Sequence, residues 1–152
     1  MKEDQLAHIK KLDKKHTKLS NQIHDLIESA YKTVSTLEEA KYLLDQLSLV
    51  QCGAWHRVQL RIWINDFPQD FEKLSNNHIP VITDDEMIKL KRLDKQWNKV
   101  FDDAYNFLKP IVEEAMADDK LGLEFCEQTL NMEICGFEKC EIRTALRKKN
   151  LI

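Results

Sequence analysis

From Ile9 to Ala30 an apolar side chain returns every third or fourth residue, through Ile9, Leu12, Leu19, Ile23, Leu26 and Ala30, with His16 in the one remaining place. That spacing keeps a single stripe on one side of a helix, and such a helix is stable only when the stripe is covered. No glycine or proline interrupts the run, so a helix is expected from about Asp4 to about Val34. Isoleucine alternating with leucine suits a two-stranded coiled coil, and an antiparallel mate from the same chain would serve equally well.

The next elements follow from local signals. Ser35-Thr36-Leu37-Glu38-Glu39 stops one helix and caps another. The second helix places Leu37, Ala40, Leu44, Leu47, Ala54, Val58 and Ile62 on one face and Leu43, Val50, Leu60 and Ile64 on another, as expected of a helix between two neighbours. Val58, Leu60, Ile62 and Ile64 also alternate as a strand would, but no second strand is at hand to pair with them, so helix is favoured. Phe67, Phe71 and Leu74 suggest a short helix in the connection, and Asn76–Pro80 a loop. Thr83-Asp84-Asp85-Glu86 is a capping box opening a third long helix, along which Leu90, Leu93, Trp97, Val100, Ala104, Phe107 and Ile111 form a second seam. Pro110 should kink it. A fourth helix is expected over Asp119–Ile134, ended by Gly136, and a fifth near Glu138–Lys149.

Three glycines and three prolines in 152 residues leave little turn chemistry for a β fold. The expected fold is all-α: a single-domain helical bundle of three long helices, the first two a coiled-coil-like hairpin, plus two shorter C-terminal helices. Residues 1–65 form the hairpin, 66–83 a connection with a short helix, 84–117 the kinked helix and 119–149 the two short helices, with no internal repeat expected.

The charged start Met1-Lys2-Glu3-Asp4-Gln5 is followed by no apolar stretch, so neither a secretory signal nor a membrane span is expected. Cys52, Cys126, Cys135 and Cys140 contain no C-x-x-C pair, which fits reduced thiols in the cytoplasm better than a zinc site. The net charge of −3 conceals segregation: residues 101–138 hold ten acids against Lys109 and Lys120, while bases gather at Lys10–Lys18, Lys89–Lys99 and Lys139–Lys149. Segregation of this kind orients encounters with a partner or pairs a protein's own helices.

Residue patterns for chemistry are sparse. His8, His16 and His24 recur every eight residues, which fans them around a helix by roughly 80° each. Glu-x-x-His, needed twice by a di-iron bundle, is absent, as are glycine-rich phosphate loops and nucleophile elbows. His24-Asp25 resembles the paired ligands of HD-superfamily phosphohydrolases, a family whose pattern also draws an upstream His and a downstream Asp from other helices; here the upstream histidines share one helix. Met132-Glu133-Ile134-Cys135-Gly136-Phe137 through Ala145-Leu146-Arg147 is similar to the first two helices of ubiquitin-associated domains, which implies a ubiquitin-binding surface; the third helix of that family has no counterpart before Ile152.

No catalytic residue, metal or cofactor is therefore expected. The expected function is non-enzymatic: an inhibitor, adaptor or small regulatory protein docking a protein partner through a helical face, with homodimerisation through the first seam as one form of it. Candidate contact residues are His16, a polar register pin; Trp63 flanked by Arg57 and Arg61, an interface anchor; and the acidic Glu113, Glu114, Asp118 and Asp119. Arg143 and Arg147, with the basic first helix, offer the alternative of nucleic-acid phosphate, and the acidic residues that of imitating a nucleic acid in a basic groove.

Overall fold

The computed structural model describes residues 1–66 and 81–152, whose regular structure is entirely α-helical. Six helices follow one another among them: α1 (Glu3–Tyr31), α2 (Leu37–Ser48), α3 (Ala54–Asp66), α4 (Asp84–Ala117), α5 (Asp119–Gln128) and α6 (Gly136–Lys148). None of the described helices is long and apolar enough to cross a membrane. Two starts are the expected capping boxes. At α2, Thr36 Oγ1 accepts the Glu39 N–H at 3.2 Å while Glu39 accepts the Thr36 N–H at 3.1 Å; Thr83 and Glu86 repeat this exchange at α4.

The expected long second helix is divided. α2 ends at Ser48, and Gly53, with φ +74° in the left-handed region, redirects the chain immediately before α3, so two short helices, α2 and α3, replace it. Residues 54–66 are helical despite their alternating pattern. Gly136 opens α6 and does not close the helix before it, which ends at Gln128. Pro110 lies inside α4, which continues to Ala117. The short helix expected around Phe67, Phe71 and Leu74 and the loop at Asn76–Pro80 fall outside the described residues.

α1–α2–α3 and α4–α5–α6 repeat one arrangement, contrary to expectation. α1 and α4 begin 81 residues apart, α2 and α5 82 apart, and α3 and α6 82 apart, the last pair each 13 residues long. Buried positions coincide: Ile9 with Leu90, Leu19 with Val100, Ile27 with Leu108, Leu43 with Phe125, and Leu60 with Ile142. Even the small residues match, Ala40 with Gly122, both buried. In sequence the echo is Lys10-Lys11-Leu12-Asp13-Lys14 and Lys91-Arg92-Leu93-Asp94-Lys95.

The chain divides into two compact units, Leu19–Asn98 and Met1–Lys18 with Lys99–Ile152. Each unit holds one short hairpin, α2–α3 or α5–α6, with the end of the long helix preceding it and the start of the other repeat's long helix. In the α2–α3 unit, Ile27, Leu43, Leu47, Leu60, Ile82 and Leu90 are fully buried, each stabilising the fold by about 1.5–3 kcal/mol. Buried Gln46 anchors the approach to α4, donating to the Ile82 carbonyl at 2.7 Å and accepting the Ile82 N–H at 3.1 Å. In the α5–α6 unit, Ile9, Val100, Leu108, Phe125, Ile142 and Leu146 form the core. The seam of α1 is thus covered within the chain, Ile9, His16, Leu19, Ile23 and Ala30 all being buried.

Candidate functional site

In the α2–α3 unit the hairpin turn is held from two sides. The Asp94 carboxylate, buried on α4, accepts the backbone N–H groups of Cys52 at 2.7 Å and Gln51 at 3.2 Å. The Arg57 guanidinium donates to the carbonyls of Leu47, in the last turn of α2, and of Val50, Gln51 and Cys52, in the turn that follows, at 2.7 to 3.1 Å. With its first turn fixed in this way, α3 sets its third residue, His56, only 6% exposed, against α1.

Two residues of α1 meet it. Glu28 Oε2 lies 3.2 Å from His56 Nε2, and because an ionised carboxylate can only accept, Nε2 carries the proton. This bond holds the Glu28 carboxyl below the usual carboxylate range. The second carboxylate oxygen faces Lys32 Nζ at 3.5 Å. His24, one helical turn before Glu28, brings its ring centroid to 5.3 Å from that of His56. One donor atom from each of His24, Glu28 and His56 lies within 4.8 Å of the other two. Both imidazoles also border a cavity of about 260 Å³ lined by Ile23, Ile27, Trp55 and Trp97. Trp97 is oriented there by donating its indole N–H to Ser20 Oγ at 2.9 Å. Cys52 at the cavity edge is no nucleophile: burial first, then the Asp94 carboxylate, pushes its thiol up to about 12.

The α5–α6 unit is built the same way with different chemistry. Asp13 accepts the Ile134 N–H at 3.0 Å, and Lys139 Nζ donates to the carbonyls of Thr129, Leu130 and Met132 at 2.8 to 3.0 Å. The positions equivalent to His24, Glu28 and His56 carry Tyr105, Lys109 and Glu138. These three border a groove of about 460 Å³ with Val112, Met116 and Phe137, and Glu113 and Glu141 also line it. Phe137 is 68% exposed, whereas Glu138 beside it is 5% exposed and its Oε2 has no hydrogen-bond partner. Burial, reinforced by Glu141, pushes the Glu138 carboxyl up from its ordinary value.

The residues singled out from sequence are distributed among several tasks. Arg57 is committed to the α2–α3 turn, Arg61 is exposed on α3, and Trp63 is half-buried, so the exposed tryptophan of that helix is Trp55, at 68%. Glu113 reaches the α5–α6 groove; Glu114 lines a separate cavity with Met1 and Phe125. Asp118 caps α5 through the N–H groups of Lys120 and Leu121, and Asp119 pairs with Lys149. Arg143 and Arg147 are exposed on α6. His16 is buried on α1, where burial lowers its pKa against the opposing pull of Glu133 and Asp13.

Sequence reasoning missed both clusters. One signal was available, His24 and Glu28 at i and i+4 on one helix face; their partner His56 lies 28 residues further on from Glu28, in a helix whose start depends on the Gly53 turn. No protein-family model, curated protein or solved structure matches the chain.

Proposed function

We propose that this is a non-enzymatic docking protein, an inhibitor, adaptor or small regulatory protein, that receives a segment of a partner protein in the groove of the α5–α6 unit. The observation that carries this is Glu138 Oε2, a buried carboxylate oxygen without a donor, set among Tyr105, Val112, Met116 and Phe137. Burying a carboxyl without a partner is costly, and the cost is relieved when a ligand brings a donor. The surrounding groups select the ligand. Glu113 and Glu141 add negative charge and only Lys109 opposes them among the lining residues, so the fitting segment carries a lysine or arginine within a helical turn of an apolar side chain. Phe137 is the hydrophobic anchor for that side chain, and its exposure in the free protein is the cost that docking removes. Four free cysteines support a reducing, cytoplasmic setting.

The test is quantitative affinity capture with four forms of the full chain. Wild type and Leu49→Asp, an exposed change in the other unit, should retain the same specific partner. Phe137→Asp should lose it, and Glu138→Gln should retain at most about a tenth. Equal recovery by all four would refute the assignment, and capture of nucleic acid alone would favour an electrostatic function of the basic helices.

A further inference from the structure

We propose that His24, Glu28 and His56 form a binding site for a divalent transition-metal ion of the zinc type. The donor set comes first. Two imidazoles and one carboxylate suit zinc and its neighbours in the first transition row, whereas calcium and magnesium take oxygen shells. The geometry comes second. Bonds of about 2.0–2.2 Å from a tetrahedral ion place neighbouring donors roughly 3.3 Å apart. Glu28 Oε2 and His56 Nε2 already stand 3.2 Å apart, so an ion can replace the proton between them with little movement of either helix. His24 completes the set by a rotation of an exposed side chain, since all three donor atoms already lie within 4.8 Å. Zinc takes the Nε2 lone pair, and the proton there moves to Nδ1 or to solvent. Lys32 contacts the other carboxylate oxygen and is itself 72% exposed, so it leaves Oε2 available.

The repeat supplies an independent comparison. At the equivalent positions the second repeat has Tyr105, Lys109 and Glu138, a set that contains a cation and cannot hold a metal. The same packing therefore tolerates other side chains at these positions, and the His–Glu–His set is not demanded by the hairpin architecture. Three protein ligands leave the fourth position open, as in zinc sites that bind a further molecule. His24 and His56 both border the 260 Å³ cavity, from which water or a small ligand with an oxygen or nitrogen donor can complete the shell.

The experiment is calorimetric titration of the full chain with zinc chloride, with circular dichroism as a check on folding. Wild type should bind one ion with a Kd below about 10 µM. His24→Ala, an exposed change, and Glu28→Gln should each weaken binding at least about tenfold while keeping wild-type helicity. Replacing zinc by cobalt(II) should give wild type, and not His24→Ala, the intense visible absorption of a tetrahedral centre. Absence of binding by wild type at 100-fold excess over about 10 µM zinc overturns the proposal. So does equal affinity in wild type and both variants, which would place the ion elsewhere. Partner capture by Glu138 variants is unaffected by either result.

Discussion

Asp13 and Asp94 are the eleventh residues of α1 and α4, and each accepts a backbone N–H from the last residues of the hairpin turn in its own unit, Ile134 for Asp13 and Cys52 for Asp94. A basic residue, the fourth of α6 or α3, closes the same turn from the other side: Lys139 or Arg57. The third residue of that helix, Glu138 or His56, is thereby held against the long helix preceding the hairpin in the chain. Both candidate sites owe their placement to this shared device.

Removal of the Asp94 carboxylate tests the device. Asp94→Ala leaves the N–H groups of Cys52 and Gln51 without their acceptor in a buried place, a loss of about 1–3 kcal/mol. Asp13→Ala removes one such bond at a half-buried position and should cost less, about 0.5–1.5 kcal/mol. Urea unfolding of both variants provides the comparison, and a reversed order would show that the turns are held by something else.

Gly122 separates close approach from flexibility. A Cβ there would lie 2.9 Å from the Ala115 carbonyl oxygen and 3.4 Å from Ile142, and backbone cannot step aside as a side chain can. Gly122→Ala should destabilise by about 1–3 kcal/mol. At Gly136 a Cβ would meet nothing within 4 Å, so Gly136→Ala should be neutral or stabilising by up to about 1 kcal/mol. Thermal unfolding of the two variants measures the contrast.

His16 gives stability a pH dependence of known sign. Its folded pKa lies below the ordinary 6.5, chiefly through burial, so the unfolded chain binds the proton more readily. The contribution is complete above about pH 6.5 and is lost as pH falls through the folded value; Glu133 and Asp13 moderate it. Between pH 7 and about pH 5.5 the unfolding free energy of wild type should decline, and His16→Leu should flatten that slope. An unchanged slope in the variant would assign the effect to other groups.

Glu138 predicts an opposition between stability and binding. Its carboxyl is raised by burial, so ionising it near neutral pH works against the fold. Glu138→Gln should melt at a higher temperature than wild type at pH 7, with the advantage shrinking as pH falls through the raised folded value and gone below the ordinary carboxylate value of 4.5. A lower melting temperature at pH 7 would mean that the carboxylate is a structural requirement of α6.

Features set by neighbouring residues were legible before the fold was seen. Thr36 with Glu39 and Thr83 with Glu86 announce two helix starts because each box is completed within four residues. Gly53 offered a turn, but the apolar positions on either side of it continue in phase and favoured one helix, although two of them, Val58 and Ile62, are exposed on α3. Repetition was concealed for another reason: equivalent positions keep size or charge and seldom identity, as Leu43 with Phe125 and Arg57 with Lys139 show. The His–Glu–His cluster needs two helices brought together, and the value of Glu138 lies in its burial. Neither is a property of a short stretch of sequence.

The most direct measurement of docking is photo-crosslinking from position 137, with a benzophenone side chain in place of Phe137 and, as a control, in place of exposed Leu49. The docking account predicts a discrete adduct from position 137 only, joined to a partner peptide with lysine or arginine within one helical turn of the linked apolar residue, and abolished by Glu138→Lys. Adducts of equal yield at both positions, or none at position 137 in cells where the protein is otherwise intact, would contradict it.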